Sequence, residues 1–232
     1  MDAFITNIVF NNLNSSKDLG LAITDMANIP VANETIEMVN GYIIRTGEYL
    51  PIELPITFRS KNLKNIIDHQ EEILDWLYNV KDNKLILSFM PNRYYIVKNV
   101  VVDNISRDFD KYNTMSVTFT LEPFKYDIYD KTMILTKSEK IYYMGNAKGK
   151  PKLKIYGSGN IELTINSETI QIKNIDEYVE LDSKFLLCLN KNQQSKSRDM
   201  SGGFPILTKG INNISWTGNV TKIELLKRTA YL

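Results

Sequence analysis

Histidine and cysteine are almost missing from this sequence: its 232 residues include one of each, His69 and Cys188. A single cysteine excludes an intrachain disulfide, so the fold must be held by its cores. Cys188 sits in the apolar run Phe185-Leu-Leu-Cys-Leu189, with no basic or histidine neighbour to favour a thiolate, and reads as a buried, inert thiol. Without a Cys or His pair a structural zinc site is excluded. Nucleophilic catalysis through a Ser-His-Asp or Cys-His arrangement would have to use His69, which stands among Asp68, Gln70, Glu71 and Glu72 and reads as a solvated helix position. Long apolar runs are absent too: none approaches the roughly 18 residues of a membrane-spanning helix, so no membrane insertion is expected. The opening Met-Asp-Ala-Phe-Ile-Thr-Asn is acidic and alternating, unlike a signal peptide. Nor is there a surplus of one charge. The formal net charge is +1, which gives no general drive toward nucleic acid or acidic membranes.

What is present reads as mainly β. Short alternating stretches recur at residues 3–10, 19–24, 34–39, 53–59, 84–89, 94–102 and 113–121. The last is the cleanest, with Met115, Val117, Phe119 and Leu121 on one face and Ser116, Thr118 and Thr120 on the other. Gly41, Gly47, Pro51 and Pro55 punctuate a hairpin-like region. Residues 61–80 differ: Leu63, Ile66, Ile67, Ile73, Leu74, Leu77 and Val80 fall at three- and four-residue steps, which predicts one amphipathic helix with Ser60 at its N-cap. Gly145, Gly149 and Pro151 then interrupt the pattern, and a second β unit begins, which sets expected domains of 1–147 and 148–232. In the second, residues 152–156 and 160–165 read as two strands around a tight Gly157-Ser158-Gly159 turn. Strands are also expected at 169–172, 178–181, 185–189, 213–216 and 220–226, with an exposed, mobile polar loop at 191–203. Regular short strands with turn signals argue for a β-sandwich.

Few constellations carry chemistry, and the sequence implies no catalytic residue, metal site or cofactor. Asp108-Phe-Asp-Lys-Tyr-Asn113 has two carboxylates at calcium-loop spacing but lacks the glycine and the distal glutamate; it reads as a hairpin turn. Gly157-Ser-Gly159 has no following helix to complete a phosphate loop. Lys148, Lys150, Lys152 and Lys154 would share one face of a strand, either a basic patch or a charged edge strand that discourages aggregation. Tyr94-Tyr95 and Tyr142-Tyr143 suit stacking on bases or sugars, and equally suit strand packing. The Asp68, Glu71, Glu72 and Asp75 helix face is either a solvated face or an acidic binding surface, and in a protein that lined a conduit it would repel passing DNA.

The order of several short pieces resembles the distal tail proteins of long, non-contractile-tailed phages and of phage tail-like particles. Near the start, Phe10-Asn11-Asn12, then Asp18-Leu19-Gly20-Leu21, then Gly41 and Gly47, then Pro55 to Phe58 ahead of a helix, follow the family's order. Further on, Pro151-Lys-Leu-Lys-Ile-Tyr-Gly-Ser-Gly-Asn160, Leu181-Asp182-Ser183, Gly203-Phe204-Pro205-Ile206-Leu207, Gly210-Ile211-Asn212 and Ile214-Ser215-Trp216 with Gly218 are similar to its C-terminal domain. The resemblance implies two β-sandwich domains, an N-terminal one with a single helix and a galectin-like C-terminal one. It implies a structural hub at the virion tail tip, assembled in the host cytoplasm, in which a homohexamer forms an adaptor ring. The ring would join the tail tube protein to the tail-associated tip protein, with a lumen for DNA and with a receptor-binding protein or peripheral baseplate proteins as further partners; sequence-specific nucleic-acid binding is not implied. A closed ring needs two complementary surfaces on each subunit, and Tyr42, Tyr49 and Leu50 are the candidates for one of them. The alternative is a carbohydrate-binding β-sandwich module for host-surface recognition, in which Trp216 would stack on a sugar although core packing is the competing role.

Overall fold

A computed structural model of the chain describes residues 7–40, 42–60, 66–107 and 113–232. They form two compact units, one ending at Ile128 and one spanning Tyr129–Tyr231, with Leu232 grouped with the first. The division thus falls before the Gly145–Pro151 punctuation rather than at it, because strands ahead of the glycines pair within the second unit.

In the first unit the strands are β1 (Ile8–Phe10), β2 (Leu13–Asn14), β3 (Leu21–Met26), β4 (Glu34–Val39), β5 (Tyr42–Tyr49) and β6 (Ile52–Ser60). Helix α1 (Ile66–Tyr78) and strands β7 (Lys84–Leu87), β8 (Arg93–Arg107) and β9 (Asn113–Asp127) follow. The main sheet has the order β2-β1-β7-β8-β9-β6-β3, with antiparallel neighbours throughout. Alternation sets the register. Ile52, Leu54, Ile56 and Phe58 of β6 and Met115, Val117, Phe119 and Leu121 of β9 all face one core, as strict two-residue periodicity requires. Pro55 is tolerated mid-strand because its nitrogen and carbonyl point to the β3 side, where β3 has just ended and Ala27 N–H donates to the Pro55 carbonyl.

The helix buries Ile73, Trp76 and Leu77 against this sheet. Trp76, which the apolar stripe read from sequence passes over, is the anchor: its ring meets Phe10 and Phe58 edge-on at 5.9 and 6.1 Å, and its Nε1–H donates to the Phe10 carbonyl at 2.7 Å. The helix end is closed from β1. The Asn11 amide donates to the carbonyls of Trp76 and Asn79, both at 3.0 Å, and its Oδ1 accepts from the N–H groups of Lys81 and Asp82. His69 is not solvated as expected. Its side chain is 11% exposed, with Nδ1 3.5 Å from Glu72. The proposed N-cap Ser60 is the last residue of β6, and Leu63 and the Asp108-to-Tyr112 part of the acidic loop lie outside the described residues.

The second unit holds β10 (Met133–Leu135), β11 (Glu139–Tyr143), β12 (Lys152–Ile165), β13 (Glu168–Ile175), β14 (Tyr178–Asp182), β15 (Leu187–Asn190), β16 (Met200–Ser201) and β17 (Gly210–Leu226). Two long strands replace four expected short ones. Gly157-Ser158-Gly159 is not a turn: β12 runs through it with register shifts against β17, pairing with β14 before the bend and with β13 after it. The bend explains the glycines. A Cβ on Gly157 would lie 2.1 Å from the Asn219 carbonyl, and one on Gly218 would lie 2.4 Å from that of Asn160. The sheet therefore curls around a core of Leu153, Ile155, Ile161, Leu163, Ile165, Ile214, Ile223 and Leu225 with the facing strands. Because β12 is central, its lysines do not guard an edge: Lys152 and Lys154 pair with Glu180, and Lys154 Nζ lies 3.7 Å from the Tyr178 ring centroid. Residues 191–203 are also ordered by specific bonds. They contain a 3-10 turn (Ser197–Asp199), a Leu189–Ser195 bridge, a Lys196–Asp199 ion pair and β16 on β13.

The glycines read as punctuation are packing positions. Tyr143 is wholly buried, and a Cβ on Gly145 or Gly149 would come within 2.7 Å of its side chain. The Tyr143 hydroxyl donates to the Ala147 carbonyl and accepts from Ala230 N–H at 2.8 Å; burial pushes its pKa up to about 12. Cys188 is fully buried as expected, and desolvation raises its thiol to about 11.

Candidate assembly surface

The β4–β5 hairpin stands apart from both large sheets. Its strands pair only with each other, from Val39↔Tyr42 at the tip to Glu34↔Tyr49 at the base. Asn40 at the tip has φ of 51°, as tight hairpin turns favour, while Gly41, the expected turn glycine, lies outside the described residues. Gly47 does not turn the chain; it lies inside β5, where the register shifts between Ile36↔Arg45 and Glu34↔Tyr49. The alternating pattern would ordinarily put apolar side chains on one face. Here both faces carry them and both meet solvent: Ile36, Met38 and Ile43 on one, Val39 and Tyr42 on the other, with Met38 74% and Tyr42 76% exposed. An isolated two-stranded ribbon is marginal in water, and a contiguous exposed apolar surface marks an interaction site.

Tyr42, Tyr49 and Leu50 are not brought together. Tyr42 stands at the tip, while Tyr49 is at the base with its ring 5.0 Å from Phe124 of β9 in an edge-on contact. Leu50 is exposed beside it, and its N–H donates to the Asn33 carbonyl to close the hairpin base. Sequence reading missed Met38 and Ile43; the signal was the apolar density of both strands around Asn40-Gly41, which alternation alone assigns to a one-sided strand.

In the second unit Trp216 lies half-buried on the side of β17 that also carries Ile214, opposite Leu163, and it packs against the core. The outer side of the same bend forms a shallow groove lined by Asn160, Glu162, Gln171, Lys173 and Thr217, in which Gln171 donates to Glu162 at 2.7 Å. Opposite this, two polar clusters fix the unit internally. Asn212 is fully buried and satisfied by the Thr208 N–H, the Thr208 and Gly210 carbonyls and the Asn166 amide. Arg228 forms a two-pronged contact with Asp182 at 2.6 and 2.7 Å. Burial alone would raise the Asp182 pKa, but bonds from Arg228, from the Phe185 N–H and from the Lys184 N–H outweigh it and hold the carboxyl below its ordinary value. Among the described residues no group of three His, Cys, Asp or Glu side chains is placed to hold a metal ion, and no helix is long and apolar enough to cross a membrane.

No curated protein sequence matches the chain. Among solved structures, the crystal structure of the SPP1 Dit (gp 19.1) protein matches over 98% of this chain and 100% of its own, with a TM-score of 0.67 and 11% identity. That protein is described as a paradigm of the hub adsorption apparatus in phages that infect Gram-positive bacteria. The likeness is one of fold, which in this chain is mainly β with one α-helix among the described residues. At the level of sequence, the phage tail protein RIFT-related domain matches residues 5–121, half of the chain, and the chain belongs to that family of phage tail proteins.

Proposed function

We propose that this tail protein is a structural hub subunit, six copies of which close into an adaptor ring between the tail tube and the tail-associated tip protein. The first unit forms the ring and the second, a galectin-like sandwich, lies on its periphery, where a receptor-binding protein or other baseplate proteins attach. The lumen passes DNA; the acidic face of α1, with Glu71, Glu72 and Asp75 exposed, suits a surface that does not retain it. The protein acts by geometry at the virion tail tip and is assembled in the host cytoplasm, and it is not an enzyme. The observation that carries this reading is the β4–β5 hairpin: a ribbon with apolar residues on both faces, Tyr42 at its tip and Leu50 at its base, needs a covering partner, and a ring supplies one to every copy.

Light scattering of the purified protein, with negative-stain images of the same fraction, tests it. The expected result is a hexamer with a central hole. A strict monomer at high concentration, also with tail-tube or tip protein added, would overturn the ring.

A further inference from the structure

A ring built from one kind of contact needs a knob and a socket on the same chain. The hairpin tip is a knob: Val39 and Tyr42 face each other across the ribbon, and Glu37, two residues before Val39, shares their face. A socket lies in the same unit. Ile29, Val31, Phe89, Met90, Pro123 and Lys125 line an apolar groove of about 200 Å³. That is smaller than the roughly 300 Å³ at which small-molecule sites begin, and it suits one inserted side chain. Val31 and Phe89, at its rim, are 74% and 59% exposed.

We infer that the hairpin tip of one copy docks its Glu37–Val39–Tyr42 face into this groove on the next copy, with Tyr42 as the inserted side chain and Glu37 against Lys125. The inference rests on the self-assembly reading above and names its contact. Three observations support a second copy as occupant. The groove sits beside the hairpin's base, where Leu50 bonds Asn33; the tip lies seven residues away along β5, roughly 23 Å for an extended strand, so a chain cannot fill its own socket. The shapes are opposite, one convex and one concave, as a contact between two different patches of the same chain requires. The charges are opposite as well: Glu37 on the knob and Lys125 in the socket have no ion partner among the described residues.

Disulfide capture tests this, because Cys188 is fully buried and leaves a silent background. Val39→Cys chains, which keep Tyr42, and Val31→Cys chains are prepared separately, then mixed and oxidised, while wild-type mass is followed by light scattering. The expected result is a linked dimer in the mixture in large excess over either chain alone. Association of the wild type with no link, or with links only between two Val39→Cys chains, would overturn the docking and leave the ring standing. A monomeric wild type with no link would overturn both. Charge exchange gives a second reading: Glu37→Lys or Lys125→Glu alone should weaken association about two- to fivefold, and the pair together should restore it. Failure of the double variant to recover removes the Glu37–Lys125 register.

Discussion

Tyr42 stands 76% exposed on a ribbon whose two strands have only each other, whereas Tyr143 is wholly enclosed by its own chain, with Gly145 and Gly149 cut away around its ring. The first sits in an apolar segment and the second beside a run of Gly, Lys and Pro, so composition would rank them the other way. The difference lies in where each finds its partners. Tyr143 is enclosed within the second unit, its hydroxyl bonded to Ala147 and Ala230 and its ring packed where the two glycines leave room. Tyr42 has no such enclosure, and in the proposed ring its burial would fall to another copy. A residue enclosed within its own chain contributes to folding; a residue left open contributes to assembly. Substitutions on the two sides of this contrast should therefore separate the two quantities.

The largest effect is expected at Tyr143. Tyr143→Ala should destabilise the second unit by about 3–5 kcal/mol, through the lost ring and the cavity it leaves. Tyr143→Phe keeps the ring but strands the Ala230 N–H, at about 1–3 kcal/mol. Urea unfolding followed by tryptophan fluorescence measures both, since Trp216 reports on the second unit and Trp76 on the first. If both Tyr143 variants unfold with wild-type midpoints, the enclosure adds nothing to stability and the contrast with Tyr42 fails.

Arg228→Gln comes next, at roughly 1.5–3 kcal/mol, because two charge-assisted bonds to Asp182 are lost. This site also carries a pH signature. The Asp182 carboxyl is held below its ordinary value in the folded state, so its contribution is present above the unfolded carboxylate pKa of about 3.9 and is lost as pH falls through the lower folded value. The wild type should lose stability in the second unit as pH drops below about 4. The loss should be shallower in Arg228→Gln, where only the Lys184 and Phe185 N–H groups still favour the charged carboxyl. Identical pH profiles for the two proteins would remove Arg228 as the cause.

A smaller cost, about 1–2 kcal/mol, is expected for Asn11→Ala in the first unit, where one side chain answers two carbonyls and two N–H groups at the end of α1. Hydrogen exchange at residues 76–82 should rise ahead of the rest of the unit. This residue also shows what the sequence made legible. Phe10-Asn11-Asn12 was readable as a turn, and the turn is there, with both asparagines at positive φ. That Asn11 reaches a helix more than 60 residues later was not readable, because a cap formed from a distant strand leaves no spacing signal. The same holds elsewhere. Strands with one buried face, β6 and β9, were legible from alternation. The continuity of β12 through Gly157-Ser158-Gly159 was not, since glycines that permit close approach of β17 look the same in sequence as glycines that turn the chain. At the hairpin, the glycines marked the region, but the sequence read Gly47 as a turn and grouped Tyr42 with Tyr49, which pairing places at the opposite end.

The smallest effect on folding should come from Tyr42→Ser, and it is the most discriminating of the four. Its side chain is three-quarters exposed, so its removal should shift the unfolding midpoint of the first unit by no more than about 0.5 kcal/mol. If the hairpin is covered in the assembly, the same substitution removes a large aromatic contact from every junction between copies, and aromatic anchors at such centres carry about 2 kcal/mol or more each. A junction weakened by that amount associates roughly thirtyfold less tightly. Sedimentation at one protein concentration then shows a loss of assembly in a protein whose urea curve is unchanged. A matched fall in both would mean that Tyr42 is enclosed by its own chain after all, as Tyr143 is, and the two regions would no longer differ in kind.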